Sequence, residues 1–439
     1  MGDAFRGRVL TRPGDSVPEQ GCRPREAVDE SVKRSGVGVR AFFGILKRDA
    51  GSSSAGDGLT SAVIPREEYA ALERCVYLNQ ASLGLVPRRS TEAMVEFLVD
   101  VAQYGNVRLS DAAEERILDD LREAAAGLLD APLRSIAVVG GASEALGQLA
   151  ILTAKAGGEV VLVASDFPSV TYPWLGARER FGTVVRWVED DPGQDLTAAL
   201  VDGIQSATTT VCFSAVQYAT GSLVDVGEVV RRAHAVGARV IVDVTQMAGA
   251  MAVSLRSWSA DALVCSGYKW LSAHGGVALL VVADDLLQCV PPIVGWKGTQ
   301  HPFQFDPTTL ALASDARRFE LSTIAYSSAA GLRTSIELLT GVGFPALARH
   351  AEALARELVA ATAPHGWTPY RDLDAPGASH HIVSLHHPTL SAPAVQARLA
   401  QEHIVVSSRG GGIRVSLHGY NDSSDIDVLA DAMNKTTAG

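Results

Sequence analysis

Residues 238–282, ARVIVDVTQMAGAMAVSLRSWSADALVCSGYKWLSAHGGVALLVV, hold three apolar runs in quick succession: ARVIVDVT, ALVCS and VALLVV. Continuous, often β-branched runs of this length are the mark of strands covered on both faces. Asp243 and Ser266 fall at the carboxyl ends of the first two. Only GYKWLSAHGG, 267–276, separates the last two, too little chain for a parallel crossover, so the final strand is expected to be antiparallel. Lys269 sits in that short link, and the 38 basic residues include only six lysines. A solvated lysine gains nothing from following an apolar strand. A lysine in a dry pocket has its pKa lowered and becomes a nucleophile toward carbonyls.

Four further runs precede this region: SIAVV (135–139), EVVLVAS (159–165), TVVRWVE (183–189) and TTVCFSAV (209–216). Segments such as SEALGQLAILTAKA and VGEVVRRAHAVG are long enough for crossover helices, which gives right-handed βαβ units. The fold class read from this layout is α/β, a doubly wound, seven-stranded, mostly parallel sheet. From 315 to 439 a helical segment (GFPALARHAEALARELVAATA) mixes with strands (HHIVSL, GIRVSL), implying a smaller α+β domain. Residues 1–60 read as a low-complexity extension, with DAGSSSAGDG linker-like and VRAFFGILKR (39–48) a short amphipathic helix candidate. The expected division is 1–60 extension, 61–90 N-terminal part of the small domain, 91–314 large domain and 315–439 the rest of the small domain.

The formal net charge of -11 argues against a nucleic-acid or anionic-membrane surface. Partners are expected to be small molecules or further copies of the chain. Five scattered cysteines without a CxxC suggest neither a disulfide framework nor a structural zinc, and a reducing cytoplasm fits them. No membrane-length apolar run occurs, and the first residues lack a signal-peptide core, so the chain reads as soluble. The histidine pairs in SHH (379–381) and LHHP (385–388) lack HExxH spacing and carboxylate company, and no metal is expected.

Several strand ends carry candidate chemistry. VVGGASEALGQ (138–148) runs strand, glycine turn, helix start, with Ala142 small and Ser143 at an N-cap position; it suits an anion, or is a bare βα turn. Asp243 is either a cap or ion-pair partner, or the counter-ion of a cationic ring nitrogen, with Gln246 placed to donate to a ring hydroxyl. Phe167 in SDFPSVTYPWL (165–175) offers a stacking face or belongs to the core. Gln217 in SAVQYATG (214–221) reaches the same place or lies on a surface turn. Arg409 and Arg414 in SSRGGGIRVSLHGYND (407–422) suit bidentate capture of a carboxylate. In this order the residues answer the needs of pyridoxal phosphate at its phosphate, ring face, ring nitrogen and aldehyde, and of a substrate carboxylate.

With VYLNQASLG, GGASEA, DFPSVTYPW, VQYATG, DVTQ, SGYKW, GWKG, RRFELST and RVSLHGYN in this order, the chain from about 75 to 435 resembles the class V aminotransferase family. These are fold type I pyridoxal-phosphate enzymes that include cysteine desulfurases, kynureninases and isopenicillin N epimerase-like proteins. The resemblance implies that Lys269 forms the internal aldimine, Asp243 pairs with the pyridinium nitrogen and Phe167 stacks on the ring. It places Ala142, Ser143, Ser266 and Tyr268 at the phosphate, Gln246 and Gln217 near the phenolic oxygen, and Arg414 on the substrate α-carboxylate. It further implies a homodimer in which Thr323 contacts the neighbouring subunit's phosphate. Cysteine desulfurases carry a catalytic cysteine in the C-terminal third, whereas no cysteine follows Cys289 here, which argues against a persulfide mechanism. On this reading Lys269 is the general base at Cα. β-Elimination of the C–S lyase type leads. Transamination, epimerisation, decarboxylative deamination and a catalytically silent binding protein remain alternatives. Lys297, Arg317 and Arg318 are the residues that could form the second carboxylate clamp of a dicarboxylate-dependent transaminase.

Overall fold

Each of the seven apolar runs between 135 and 282 becomes a strand of one sheet in the computed structural model, which describes residues 60–437. After a two-residue strand β1 (Val76–Tyr77), the sheet comprises β2 (Ile136–Val139), β3 (Glu159–Val163), β4 (Val184–Val188), β5 (Thr208–Ser214), β6 (Arg239–Asp243), β7 (Ala262–Ser266) and β8 (Ala278–Val282). Their spatial order is β2-β8-β7-β6-β5-β3-β4. Strands β3 to β7 pair in parallel. β8 runs antiparallel to both β7 and β2, as the short 267–276 link requires.

The continuous apolar runs are explained by two-sided burial. Every residue of β2, β3, β7 and β8 is buried. Val138, Val161, Val211, Val240 and Leu263 point into a core on one face, while Ala137, Val160, Cys212, Ile241 and Val264 point into a second core with Leu149 and Trp174 on the other. β4 lies at the edge and is partly exposed, and its Arg186 is paired with Glu159 at 2.7 Å. The register sets Ser214 opposite Asp243 and Asp243 opposite Val264, so the carboxyl ends of β5, β6 and β7 align along one rim. An open α/β sheet binds its ligands at that rim.

A second sheet is built from β9 (Thr368–Pro369), β10 (Ile382–His386), β12 (Ser407–Arg409) and β13 (Gly412–Ser416), antiparallel in the order β12-β13-β10-β9. It has its own core, including Leu354, Leu358, Trp367, Val415 and Met433. β1 pairs in parallel with β11 (Ile404–Val405), and Asn79 bridges to Ser416, so residues 76–84 run alongside the strand that carries Arg414. Elsewhere a buried ion pair closes the start of the large sheet: Arg122 meets Glu320 at 2.7 Å, and Glu320 also accepts from the Val138 amide at 2.9 Å. The helix expected over 39–48 lies outside the described residues. No helix among the described residues is long and apolar enough to cross a membrane.

Candidate active site

At the carboxyl rim of the large sheet lies a cavity of about 170 Å³, and seven of the sequence-predicted residues line it: Ala142, Ser143, Phe167, Asp243, Ser266, Tyr268 and Lys269. A wider depression of about 390 Å³ over residues 294–311 carries none of the predicted residues. The smaller cavity is therefore the candidate site.

Lys269 follows β7 in a tight turn and is 7% exposed. Its Nζ lies 5.0 Å from the centroid of the Phe167 ring and 5.9 Å from that of Tyr268, and it makes no ion pair among the described residues. Burial pulls its pKa down to about 8; the nearby charge of Arg414 acts in the same direction, and Asp243 partly opposes both. The amine is thus still mostly protonated at physiological pH, but its neutral, carbonyl-directed form is far more populated than in a solvated lysine.

Asp243 ends β6 and is buried, and burial raises its pKa against hydrogen bonding from Thr245 and the field of Lys269. The Thr245 amide donates to it at 2.7 Å. No arginine pairs with it among the described residues, so the ion-pair reading of this residue does not apply. A second carboxylate, which sequence reasoning did not single out, lies beside it. Asp166 is buried, makes no ion pair among the described residues and accepts from the Phe167 amide (2.7 Å), the Ser214 amide (2.7 Å) and hydroxyl (2.6 Å), and Gln217 Nε2 (3.2 Å). Burial pushes its pKa up to about 6 in spite of these donors, and the charge of Asp243 adds to the rise. Asp166 thereby fixes the backbone that carries Phe167. The Phe167 ring is 38% exposed and edges onto Tyr218 at 5.3 Å, so it is not a core residue.

The glycine turn departs in detail from expectation. Gly141, not Ser143, is the N-cap of the helix Ala142–Thr153, and no side chain caps it. Gly141 is still extended and Ala142 is already helical, which puts Ser143 inside the first turn, its hydroxyl 2.7 Å from that of Ser169. Glu144 takes the Gly140 amide at 3.2 Å. The amides of the first turn otherwise face the cavity end of the helix with its positive dipole.

Four predicted residues lie outside the cavity lining. Arg414 on β13 is 1% exposed. One Nη donates to the Tyr218 carbonyl at 2.8 Å; the other donates to Asn79 Oδ1 at 3.2 Å and to the Ser82 hydroxyl. Its Nε is buried without a partner, and no carboxylate pairs with it among the described residues. Burial, reinforced by Arg409, lowers its pKa to about 10. Gln246 is committed elsewhere: Nε2 donates to the Ala81 carbonyl at 3.1 Å, and Oε1 accepts from Trp270 Nε1 at 2.7 Å. Gln217 turns its amide nitrogen to Asp166 and leaves Oε1 buried and unpartnered. Thr323 is exposed.

The candidates for a second carboxylate clamp are all engaged. Lys297 Nζ is 2.8 Å from Glu114, Arg317 is 3.0 Å from Asp315, and Arg318 donates to the carbonyls of Ala313 and Cys289. The four paired histidines disperse: His380 turns to the Leu373 carbonyl, His381 to the Gln246 carbonyl, His386 to Ser384 and His387 to Thr389.

A mostly parallel seven-stranded sheet with a strand-end carboxylate and a desolvated lysine at one rim is the fold of type I pyridoxal-phosphate enzymes. The family model described as Aminotransferase class-V matches residues 76–429, and the chain belongs to that family. A protein of Aeropyrum pernix named "Probable cysteine desulfurase" is 30% identical over 402 residues, covering 84% of this chain and 96% of that one. The kynureninase of Deinococcus radiodurans is 30% identical over 296 residues, 64% of this chain and 70% of that one. Among solved structures, the apo cysteine desulfurase of Thermococcus onnurineus superposes with a TM-score of 0.77 at 22% identity, covering 88% of this chain and 100% of the other. A cystine C–S lyase in complex with cysteine persulfide gives 0.76 at 22%, covering 83% and 99%. At these identities the structural likenesses speak for the fold.

Proposed function

We propose that this protein is a pyridoxal-phosphate-dependent enzyme that acts at the Cα of an α-amino acid and eliminates a sulfur-bearing β-substituent. The observation that carries the reading is the pair of buried cations, Lys269 and Arg414, neither of which meets a carboxylate among the described residues. Burying a charge without its partner is expensive, and such a charge is retained where a ligand supplies the partner.

The residues fit the cofactor. The uncapped first turn at Gly141–Ser143 suits a phosphate, and Ser266 and Tyr268 adjoin it. Asp243, buried and in no ion pair among the described residues, suits a protonated ring nitrogen, and Phe167 offers a ring face beside the Lys269 amine. When bound, pyridoxal phosphate supplies an aldehyde for Lys269 and an electron-withdrawing ring that takes up negative charge from Cα. Arg414 grips the substrate α-carboxylate, which gives its unpartnered Nε an acceptor. Lys269, neutral above about pH 8 before cofactor binds, takes the Cα proton. With the cofactor bound, the electron pair left at Cα would expel the β-substituent as a thiolate, and the released enamine would take up one water to give pyruvate and ammonia.

Elimination is preferred to transamination because Lys297, Arg317 and Arg318, the candidates for the distal carboxylate of an amino acceptor, are each engaged elsewhere. Persulfide chemistry on the enzyme is disfavoured because no cysteine follows Cys289, and burial raises the thiol pKa values of Cys212 and Cys265. Relatives named for cysteine desulfurase and C–S lyase activity support a C–S bond as the one broken. Incubation with S-substituted cysteines tests this. Release of thiol and pyruvate in equal amounts supports it, and a keto acid that retains the sulfur substituent would point to transamination.

A homodimer, a cytoplasmic location and a division into a large part (91–314) and a smaller one (61–90 with 315–439) belong to the same reading. The apolar cluster of Trp296, Phe303 and Phe305 on the surface, the free thiols of Cys75, Cys212, Cys265 and Cys289, and the pairing of β1 with β11 support these in turn. Sedimentation at micromolar concentration checks the first.

A further inference from the structure

The turn LNQASLG (78–84) touches both buried cations. Gln80 is 0% exposed. Its Nε2 donates to the Lys269 carbonyl at 3.0 Å and to the Ser272 hydroxyl at 2.9 Å, while Oε1 accepts from the Tyr420 hydroxyl at 2.9 Å and the Leu85 amide at 3.2 Å. All four hydrogen-bonding positions of the amide are therefore used, and they lock its orientation. Gly84 donates to the Tyr268 carbonyl at 2.9 Å, and a Cβ at that position would stand 2.1 Å from the Lys269 carbonyl oxygen. The Ala81 carbonyl accepts from Gln246, whose other end holds Trp270. Residues 268, 269 and 270 are thus all anchored to this one turn. The same turn supplies Asn79 and Ser82, the two side chains that hold a terminal nitrogen of Arg414.

We infer that Gln80 is a positioning residue for Lys269, and that the Asn79–Gly84 turn fixes the separation between the Lys269 amine and Arg414. Substrate amine and α-carboxylate are joined by a single carbon, so the two cations must keep one spacing for both to act on one molecule. A rigid turn bonded to each of them supplies it. The inference rests on the functional reading above, in which Lys269 reacts and Arg414 binds the carboxylate. Gln80 touches neither the Lys269 amine nor Arg414; it acts through the Lys269 backbone carbonyl, and a displacement of the order of 1 Å at a reacting group is enough to cost up to about a hundredfold in rate.

The test uses the full chain, stripped of cofactor and mixed with pyridoxal phosphate. It follows the rate at which a visible absorption band rises and becomes fixed to Lys269 by borohydride. In Gln80→Glu, Oε1 keeps Tyr420 and Leu85 while the second oxygen faces the Lys269 carbonyl without a proton to donate. Capture is expected to slow about tenfold; the buried carboxylate also lowers the thermal midpoint, so capture is read at a temperature where the variant is folded. With an S-substituted cysteine, kcat falls and KM stays, whereas Ser82→Ala shifts KM and leaves the capture rate alone. Wild-type capture and kcat in a folded Gln80→Glu overturn the inference. If that variant does not fold, Tyr420→Phe, which frees one side of the Gln80 amide, carries the test: slower capture at a wild-type melting temperature supports the inference, and unchanged capture overturns it. A wild-type chain that forms no band refutes the functional reading, and this inference with it. A normal wild-type band with unaltered variants refutes the inference alone.

Discussion

Lys269 Nζ stands 5.0 Å from the centroid of the Phe167 ring, so the amine from β7 and the flat face from the end of β3 bound the same cavity. Two residues about a hundred positions apart in sequence meet because the β5–β6–β7 register aligns the strand ends that flank them. The predictions below follow from this arrangement and from the charges around it.

Capture of pyridoxal phosphate by the cofactor-free chain should follow deprotonation of Lys269. Its pKa in the folded chain is about 8, so the rate rises with pH to a plateau above 8 and falls about tenfold per unit below. Asp243 raises this pKa and Arg414 lowers it. Asp243→Asn therefore moves the midpoint to lower pH and Arg414→Met to higher pH. Stopped-flow absorbance across pH 6–10 reads both shifts, and equal midpoints in all three proteins would refute the electrostatic account.

Above its shifted midpoint Arg414→Met should still form the cofactor band in full and be impaired in the substrate step. Truncating a buried, hydrogen-bonded charge that grips a carboxylate costs at least about 2 kcal/mol, roughly thirtyfold in kcat/KM. Steady-state kinetics with an S-substituted cysteine measure it. Simple amines without a carboxylate should react no worse with the variant than with wild type.

Alkylation provides a third check. Cys75 and Cys289 are partly accessible, whereas Cys212 and Cys265 are buried with raised thiol pKa values. Iodoacetamide should modify the accessible thiols and leave turnover unchanged. Loss of turnover in proportion to labelling at Cys289 would restore a thiol-based mechanism.

A stability prediction separates scaffold from site. Glu320 and Arg122 form a buried pair at 2.7 Å away from the cavity. Glu320→Gln leaves the guanidinium short of its buried counter-charge and should destabilise the chain by about 3 kcal/mol in urea unfolding, with the cofactor spectrum unchanged below the transition.

Much of the fold is legible in the sequence because strands covered on both faces must be continuously apolar, and the 267–276 link is too short for anything but an antiparallel return. Asp243 and Lys269 stand out for a related reason: the first closes such a run and the second follows another by three residues, at the strand ends where an open α/β sheet holds its ligands. The supports of the site are not legible in this way. Gln80 lies 189 positions from Lys269 and 340 from Tyr420, and Asp166 meets Ser214 and Gln217 at 48 and 51 positions along the chain. Hydrogen bonds of that range leave no periodicity or spacing behind. The same holds for Gln246, whose position three residues after Asp243 suggests a ligand contact, while its amide is divided between Ala81 and Trp270. Ser143 misleads differently: serine is a favoured N-cap, but two glycines precede it and the second takes that position.

The most direct test of the account is the absorption spectrum of purified wild-type and Lys269→Ala proteins after addition of pyridoxal phosphate and removal of the excess. The account predicts a visible band in wild type that borohydride discharges and fixes to the peptide containing Lys269, and no such band in Lys269→Ala. A wild-type protein without the band, or a variant that retains it, would contradict the assignment of Lys269 as the reacting lysine.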